Sequence, residues 1–371
     1  MIVNNKDSNL VRIGDYIEVY DVKNSNSKDL QFCGINKDKT FMPTVADINE
    51  LDSSKYKIVE KDVFVFSGMQ TGRDVCIRLA LYDKDESILV SPAYTTFIIK
   101  DKSEILPHYL FIQFNRFQMD RYGWFLSDGS IRSNLDWGIF CDIMIPLPDI
   151  DIQQELVDTY NGLKALVVQN EALIKPLNEA CRAYIVDCKK KYPVVQLGEY
   201  IEEVKTINIA RKCTFLRGVG NQGFIDPRQQ RTNESLNKCT IFHKGDLVYN
   251  PSVLFAGAIA LNSDFDEAIC TEEYVVFHSK DAKILLPEFI FLWLKRKEMG
   301  RYFWFSNMDS VRNRIYFEDT CKIGIPLPPP EVQQAIVDIY NCAQEAKKIA
   351  KEAREKMKNL CPALVQRAIN E

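Results

Sequence analysis

The chain has 371 residues, 46% of them hydrophobic and 26% charged, with a net charge of −4; that length suits two or three domains with sizeable cores. The acidic balance excludes a general polyanion-coating protein, and the most apolar run, Val253–Leu261, is far too short to span a bilayer. Eleven cysteines with no C-x-x-C pair, three isolated histidines (His108, His243, His278) and a polar start without signal-peptide features predict reduced thiols in a cytoplasm and no zinc site.

Along the chain, "RIGDYIEV" (Arg12–Val19), "DVFVFSG" (Asp62–Gly68) and "YTTFII" (Tyr94–Ile99) are alternating or apolar runs between Gly, Asn and Asp turns, and they predict strands. "PHYLFIQFNRFQ" (Pro107–Gln118) predicts one short amphipathic helix, and the turn-rich "GSIRSNLD" (Gly129–Asp136) follows it. At "IPLP" the prolines Pro146 and Pro148 suit neither a strand interior nor a helix interior, so they punctuate. Asp151 then places negative charge in the first turn of a long helix over roughly residues 150–190. Its apolar stripe is Ile152, Leu156, Leu163, Leu166, Leu173 and Leu177, narrow like a coiled-coil seam, and Pro176 is expected to kink or end it.

The same order then begins again. "QLGEYIEE" (Gln196–Glu203) matches the first strand motif, and "GDLVYNP" (Gly245–Pro251) and "YVVFHS" (Tyr274–Ser279) supply strands. "PEFIFLWLKRKE" (Pro287–Glu298) supplies the short helix, and Pro326 and Pro328 precede Glu331 and a second long helix. Its stripe is Val332, Ile336, Ala343, Ala346, Ala350, Ala353, Met357 and Leu360, with Pro362 late in the segment. At an offset of 180 residues "RYGWF" (Arg121–Phe125) falls on "RYFWF" (Arg301–Phe305), and "IPLPDIDIQQELVDTYN" falls on "IPLPPPEVQQAIVDIYN". Comparing 106–161 with 286–341 without a gap gives 23 identities in 56 positions, which is duplication. The similarity thins between about 24 and 90, where the copies differ in length and chemistry. A rod of about 40 residues at 1.5 Å per residue is far longer than a small domain needs, so the helices are expected to pair antiparallel as a spacer.

The repeated Pro-Leu-Pro-to-Gln-Gln junctions (146–154 and 326–334), "SPAY" at Ser91–Tyr94 and the "GDLVYN" strand at Gly245–Asn250 resemble the specificity subunits of type I restriction-modification enzymes over nearly the whole chain. The second copy has "TEEY" (Thr271–Tyr274) in place of "SPAY", on a stretch expected to be a core strand. The resemblance implies an α+β fold: two β-rich target recognition domains joined by a pair of long antiparallel coiled-coil helices, as a pseudo-twofold internal repeat. The implied divisions are 1–148 and 193–328 for the recognition domains, and 149–192 and 329–371 for the spacer helices. It further implies a non-catalytic subunit that reads a bipartite double-stranded DNA site and docks two methyltransferase subunits, with restriction-translocation subunits in a complete complex. S-adenosylmethionine, Mg²⁺ and ATP would then belong to those partners.

Three sequence features invite a catalytic or cofactor reading and fail it. Asn250-Pro251-Ser252-Val253 lacks the second Pro and the aromatic that a base-binding methyltransferase motif needs, and "FSGM" (Phe66–Met69) in the first copy has none of it. Gly218, Gly220 and Gly223 match G-x-G-x-x-G, but Asp226-Pro227 follows where a helix should continue. Glu203-Val204-Lys205 has no acidic partner pattern. Loops bearing Arg, Asn and Gln suit groove readout, because Arg forks onto guanine and amides pair with adenine. Candidate DNA-binding residues are therefore Arg73, Arg132, Asn134, Arg217, Asn221, Gln222, Arg312 and Arg314. Arg132 and Arg312 are the leading pair, while Arg121 and Arg301, beside aromatics, are expected to be structural. Candidate partner-binding residues are Gln153, Gln154 and Asp158, with Gln333, Gln334 and Asp338. The rival reading is a structural adaptor whose β-rich domains bind proteins and no DNA.

Overall fold

The computed structural model describes residues 10–370 apart from 27–28, 45–46, 48–50, 131–132, 211, 227–232 and 307–313, with backbone alone at 233–235 and 359–370. The chain divides into two units, one taking residues up to Asn170 together with those from Lys348, the other Glu171–Lys347. Both divisions fall inside long helices. Each unit thus holds part of both long helices.

In unit 1 the chain runs through β1 (Leu10–Arg12), β2 (Ile17–Val19), β3 (Gln31–Ile35), β4 (Phe41–Pro43), β5 (Lys57–Val59) and β6 (Phe64–Ser67). The short helix α1 (Thr71–Asp74) leads to β7 (Arg78–Leu81), β8 (Ile88–Val90) and β9 (Thr95–Ile99). One antiparallel sheet has the order β2-β9-β6-β7; a second has β4-β3-β8-β5, with β3 and β8 parallel. The period of two along β6 explains its full burial: Phe64 and Phe66 face the helices, while Val65 faces the second sheet. Next come α2 (Pro107–Phe114), α3 (Phe117–Leu126), α4 (Trp137–Cys141), β10 (Met144–Pro146) and α5 (Ile150–Lys191).

The single short helix expected at 107–118 is two. The Asn115 amide N–H closes α2 on the carbonyls of Phe111 and Ile112, and Arg116 is extended before α3 begins. β10 pairs with β1, Leu10 opposite Pro146, so the proline ends a two-stranded ribbon.

Unit 2 contains β11 (Val194–Gln196), β12 (Ile201–Glu203), β13 (Gly218–Gly220), β14 (Gly223–Ile225), β15 (Thr240–His243) and β16 (Leu247–Tyr249). β17 (Ile259–Leu261), β18 (Glu267–Cys270) and β19 (Val275–Ser279) follow, then α6 (Pro287–Leu294), α7 (Lys297–Ser306), α8 (Phe317–Cys321), β20 (Gly324–Pro326) and α9 (Pro330–Asn370). The sheet β12-β19-β16-β17 repeats the path of the first sheet of unit 1, and β11–β20 repeats the ribbon. The second layer differs. Where unit 1 has a four-stranded mixed sheet, unit 2 has the pair β15–β18 and the hairpin β13–β14.

Three expectations need correction. "SPAY" and "TEEY" are turns, not core strands: the Tyr94 N–H donates to the Ser91 carbonyl, and the Tyr274 N–H to the Thr271 carbonyl. Of the two outcomes expected at the helix prolines, a kink or an end, the end does not occur, since α5 continues past Pro176 and α9 past Pro362. In α5 the buried and half-buried line runs through Tyr160, Leu163, Val167, Ile174, Leu177 and Cys181, while Leu166 and Leu173 are exposed. A run of neighbouring apolar residues fits more than one heptad register, and packing selected the one through Val167. The alanine stripe of α9 (Ala343, Ala346, Ala350, Ala353) is buried as the spacing predicts.

Candidate nucleic-acid interface

In unit 1 two loops that are distant in sequence are stitched together. The Leu135 N–H donates to the Gly68 carbonyl at 2.8 Å, and the Gly72 N–H to the Ser133 carbonyl at 3.1 Å. The approach is too close for side chains: a Cβ on Gly68 would lie 2.1 Å from the Leu135 carbonyl oxygen. This seam brings Arg73 and Asn134 to one surface. The Arg73 guanidinium donates to Gln70 Oε1 at 2.7 Å and pairs with Asp74, while Asn134 Oδ1 accepts the Gln70 N–H at 3.3 Å. Arg132, on the same loop, lies outside the described residues.

Unit 2 repeats the seam, with the Ile315 N–H donating to the Pro251 carbonyl at 3.1 Å. Arg312 lies outside the described residues, and Arg314 leans its Nη2 on the Glu273 carbonyl at 3.5 Å. The three glycines of the cofactor-like spacing form the β13–β14 hairpin: Gly220 pairs with Gly223, whose φ of +110° suits glycine, and Asn221 and Gln222 are the exposed tip. Arg217 departs from its expected role. Its guanidinium stacks over Phe215 at 4.0 Å and pairs with Asp226, which commits the fork inside the unit.

The expected partner-binding residues also divide. Gln153 and Gln333 are fully buried, because each amide fastens its long helix to the preceding domain. Gln153 Oε1 accepts the Leu106 N–H at 2.9 Å, and its Nε2 donates to the carbonyls of Glu104 and Pro148 at 2.9 and 2.8 Å. Gln333 makes the same three bonds, with Leu286, Ile284 and Pro328. Neither can face a partner; both are clamps. Gln154 with Asp158, and Gln334 with Asp338, remain exposed one turn apart, hydrogen-bonded at 2.7 and 2.8 Å.

The surface that sequence reasoning missed is the outer face of α3 and α7. Arg121 and Arg301 are exposed, not structural, and beside them Phe125 is 80% and Phe305 74% exposed, with Trp124 and Trp304 about half exposed. The signal was present: adjacent helical residues point about 100° apart, so Trp and Phe in succession cannot both enter a core. Only Gly123 and Phe303 of the two motifs are buried. Trp124 reaches the stitched loops, its Cδ1 lying 3.0 Å from where a Cβ of Gly72 would sit.

Behind α7, burial shapes the charges. Lys295 Nζ donates to the carbonyls of Asn221, Gly257 and Ile259, tying the hairpin tip to the turn after β16, and desolvation lowers its pKa. Arg296 lies flat on Trp293, its guanidinium carbon 3.4 Å from the ring centroid; burial brings its pKa down to about 10, still charged at neutral pH. Among the described residues no helix is long and apolar enough to cross a membrane.

The family described as the type I restriction modification DNA specificity domain matches residues 190–354. A Methanocaldococcus jannaschii protein named for the specificity subunit of the type I restriction enzyme MjaX is 19% identical over 355 residues, covering 87% of this chain and 82% of its own. The HindI specificity subunit of Haemophilus influenzae is 25% identical over 124 residues, 33% of this chain and 27% of its own. In fold, the crystal structure of the S subunit of a type I restriction-modification system from M. genitalium superposes with a TM-score of 0.62 at 12% identity, over 99% of this chain and 98% of that one. Residues 190–354 thus match the type I restriction modification DNA specificity domain, and the chain as a whole, with its duplicated junctions, is similar over most of its length to a type I specificity subunit.

Proposed function

We propose that the chain reads a bipartite DNA site, one half with each unit, and docks two methyltransferase subunits through its helical parts. The observation that carries this reading is the pattern of likeness between the copies: the clamp, the ribbon and the first sheet recur, while the second layers differ in strand pairing. A protein that reads two different half-sites from one scaffold needs that division, since phosphate contacts position and base contacts specify. In this reading Arg73, Asn134 and Arg132 face one half-site, and Asn221, Gln222, Arg312 and Arg314 face the other. S-adenosylmethionine, Mg²⁺ and ATP belong to the partner subunits, restriction-translocation subunits among them, and the complex works in the cytoplasm.

Methylation-site mapping in cells with and without the chain tests it, with Arg132→Ala and Arg312→Ala side by side. Each variant should relax one half of the motif, by about 1–3 kcal/mol if the lost contact is a bidentate one to a base. A continuous motif, or both variants failing in the same half, would overturn the two-unit reading. Docking is assigned to the exposed pairs around Asp158 and Asp338, so reversing both charges should cut co-purification of the methyltransferase and leave thermal unfolding unchanged. Undiminished co-purification would move the dock elsewhere.

A further inference from the structure

In unit 2 the turn Leu254–Gly257 and the start of α7 enclose a cavity of about 330 Å³. Lys295, Arg296, Lys297 and Arg301 line it, and among the described residues no carboxylate does. Glu298, the acidic residue of α7, is paired with Arg182 instead. The four cations differ in what they have left to give. Lys295 is spent on three backbone carbonyls. Arg296 uses only Nε, on the Trp293 carbonyl at 3.1 Å, and its Nη groups donate to nothing among the described residues. A guanidinium held still with its terminal donors unspent is pre-organised for an oxyanion. Lys297 and Arg301, exposed and four residues apart on one helix, repel each other until an anion comes between them. Trp304 and Phe255 complete the walls.

Resting on the reading of the chain as a DNA-specificity subunit, we infer that this cavity seats a backbone phosphate of the bound duplex, held by Arg296, Lys297 and Arg301. The occupant follows from charge, since a wall with four cations complements a polyanion, and from place. Lys295 ties the cavity to the Asn221–Gln222 tip, so a duplex read by that tip passes its backbone across the opening. Unit 1 offers a weaker grip, because the positions matching Lys295, Arg296, Lys297 and Arg301 are Asn115, Arg116, Phe117 and Arg121.

The test uses the complex of this chain with its methyltransferase, titrated with a duplex carrying the mapped motif and with an unrelated duplex, across about 50–200 mM salt. Replacing Lys297 and Arg301 together by Ala removes two exposed side chains, so the fold should hold, and thermal unfolding checks that it does. Affinity for both duplexes should fall about tenfold at low salt, the slope of log Kd against log salt should flatten by about one, and the methylated motif should not change. Arg121→Ala should show a smaller version of the same effect. An unchanged affinity and slope in a complex that still methylates its motif would refute the site while leaving the DNA reading intact. So would a loss confined to the cognate duplex. Calorimetry with inorganic phosphate separates the sources: saturation below about 1 mM that DNA does not displace would assign the cavity to a free anion and overturn the inference. Failure of the wild-type complex to bind any DNA would take down both.

Discussion

Gly123 and Phe303 occupy the same place in the two copies, yet one has no side chain and the other has a fully buried ring. In unit 1 a Cβ at Gly123 would come 2.3 Å from Ile77. Strand pairing aligns Leu79 with Ile259, because both lie opposite the central aromatic of their sheet, Phe66 and Tyr249. Counting back two residues sets Ile77 against Gly257. In unit 1 Ile77 fills the place beside the helix glycine, whereas in unit 2 the helix itself supplies the buried bulk as Phe303. What the duplication retained here is a filled volume, not a residue. One turn earlier the exchange has a functional consequence. Asp120 in unit 1 pairs with Lys39 and accepts the Ile77 N–H at 2.9 Å. Gly300 at the matching position leaves room for the Phe255 carbonyl, and the turn beside it becomes a wall of the cationic cavity. By contrast the Gln153 and Gln333 clamps match bond for bond.

The largest expected effect breaks the symmetry. Phe303→Ala should destabilise unit 2 by about 3–5 kcal/mol through the cavity it leaves, while unit 1, with Gly123 there, has nothing to lose. Denaturant unfolding followed by hydrogen exchange would show protection falling in α6 and α7 only. The next pair tests the sameness of the clamps. Gln153→Ala and Gln333→Ala should each cost roughly 2–4 kcal/mol, because an amide N–H and two carbonyls lose their partner. Unequal losses would mean the two junctions are not equivalent.

Exchanging the bulk in unit 1 sharpens the comparison further. Gly123→Phe and Ile77→Gly should each destabilise, and the double variant should recover about 1–3 kcal/mol relative to their sum; additive losses would show that the two sites do not share a volume. The smallest effect concerns Asp246, which matches the buried Val63 of unit 1. Burial raises the Asp246 pKa, while the His243 backbone N–H, His278 and His243 oppose the shift. A raised folded pKa favours folding of the protonated form, so this contribution is present below the unfolded value of about 4 and is lost as pH rises through the folded one. Asp246→Asn should therefore raise Tm by about 1–3 °C at pH 7 and lose that advantage below about pH 4.

The repeat, the proline junctions, the two long helices and the core strands were legible in the sequence, because each rests on local rules: periodicity, proline geometry and identity at a fixed offset. The proline stops and the alanine seam of α9 follow from those rules alone. Other features depended on what packs against what. Gln153 and Gln154 are neighbours of one residue type, yet one is a buried clamp and the other a surface group, since successive helical positions face different ways and only the docked domain decides which is inside. The same geometry turned Trp124, Phe125, Trp304 and Phe305 outward with Arg121 and Arg301. Arg217 lost its apparent freedom to Phe215 and Asp226, while Arg296 is held against Trp293 through its ring contact and its Nε bond. Sequence determined the elements and their repetition; contacts between residues far apart along the chain decided which polar groups were already spent.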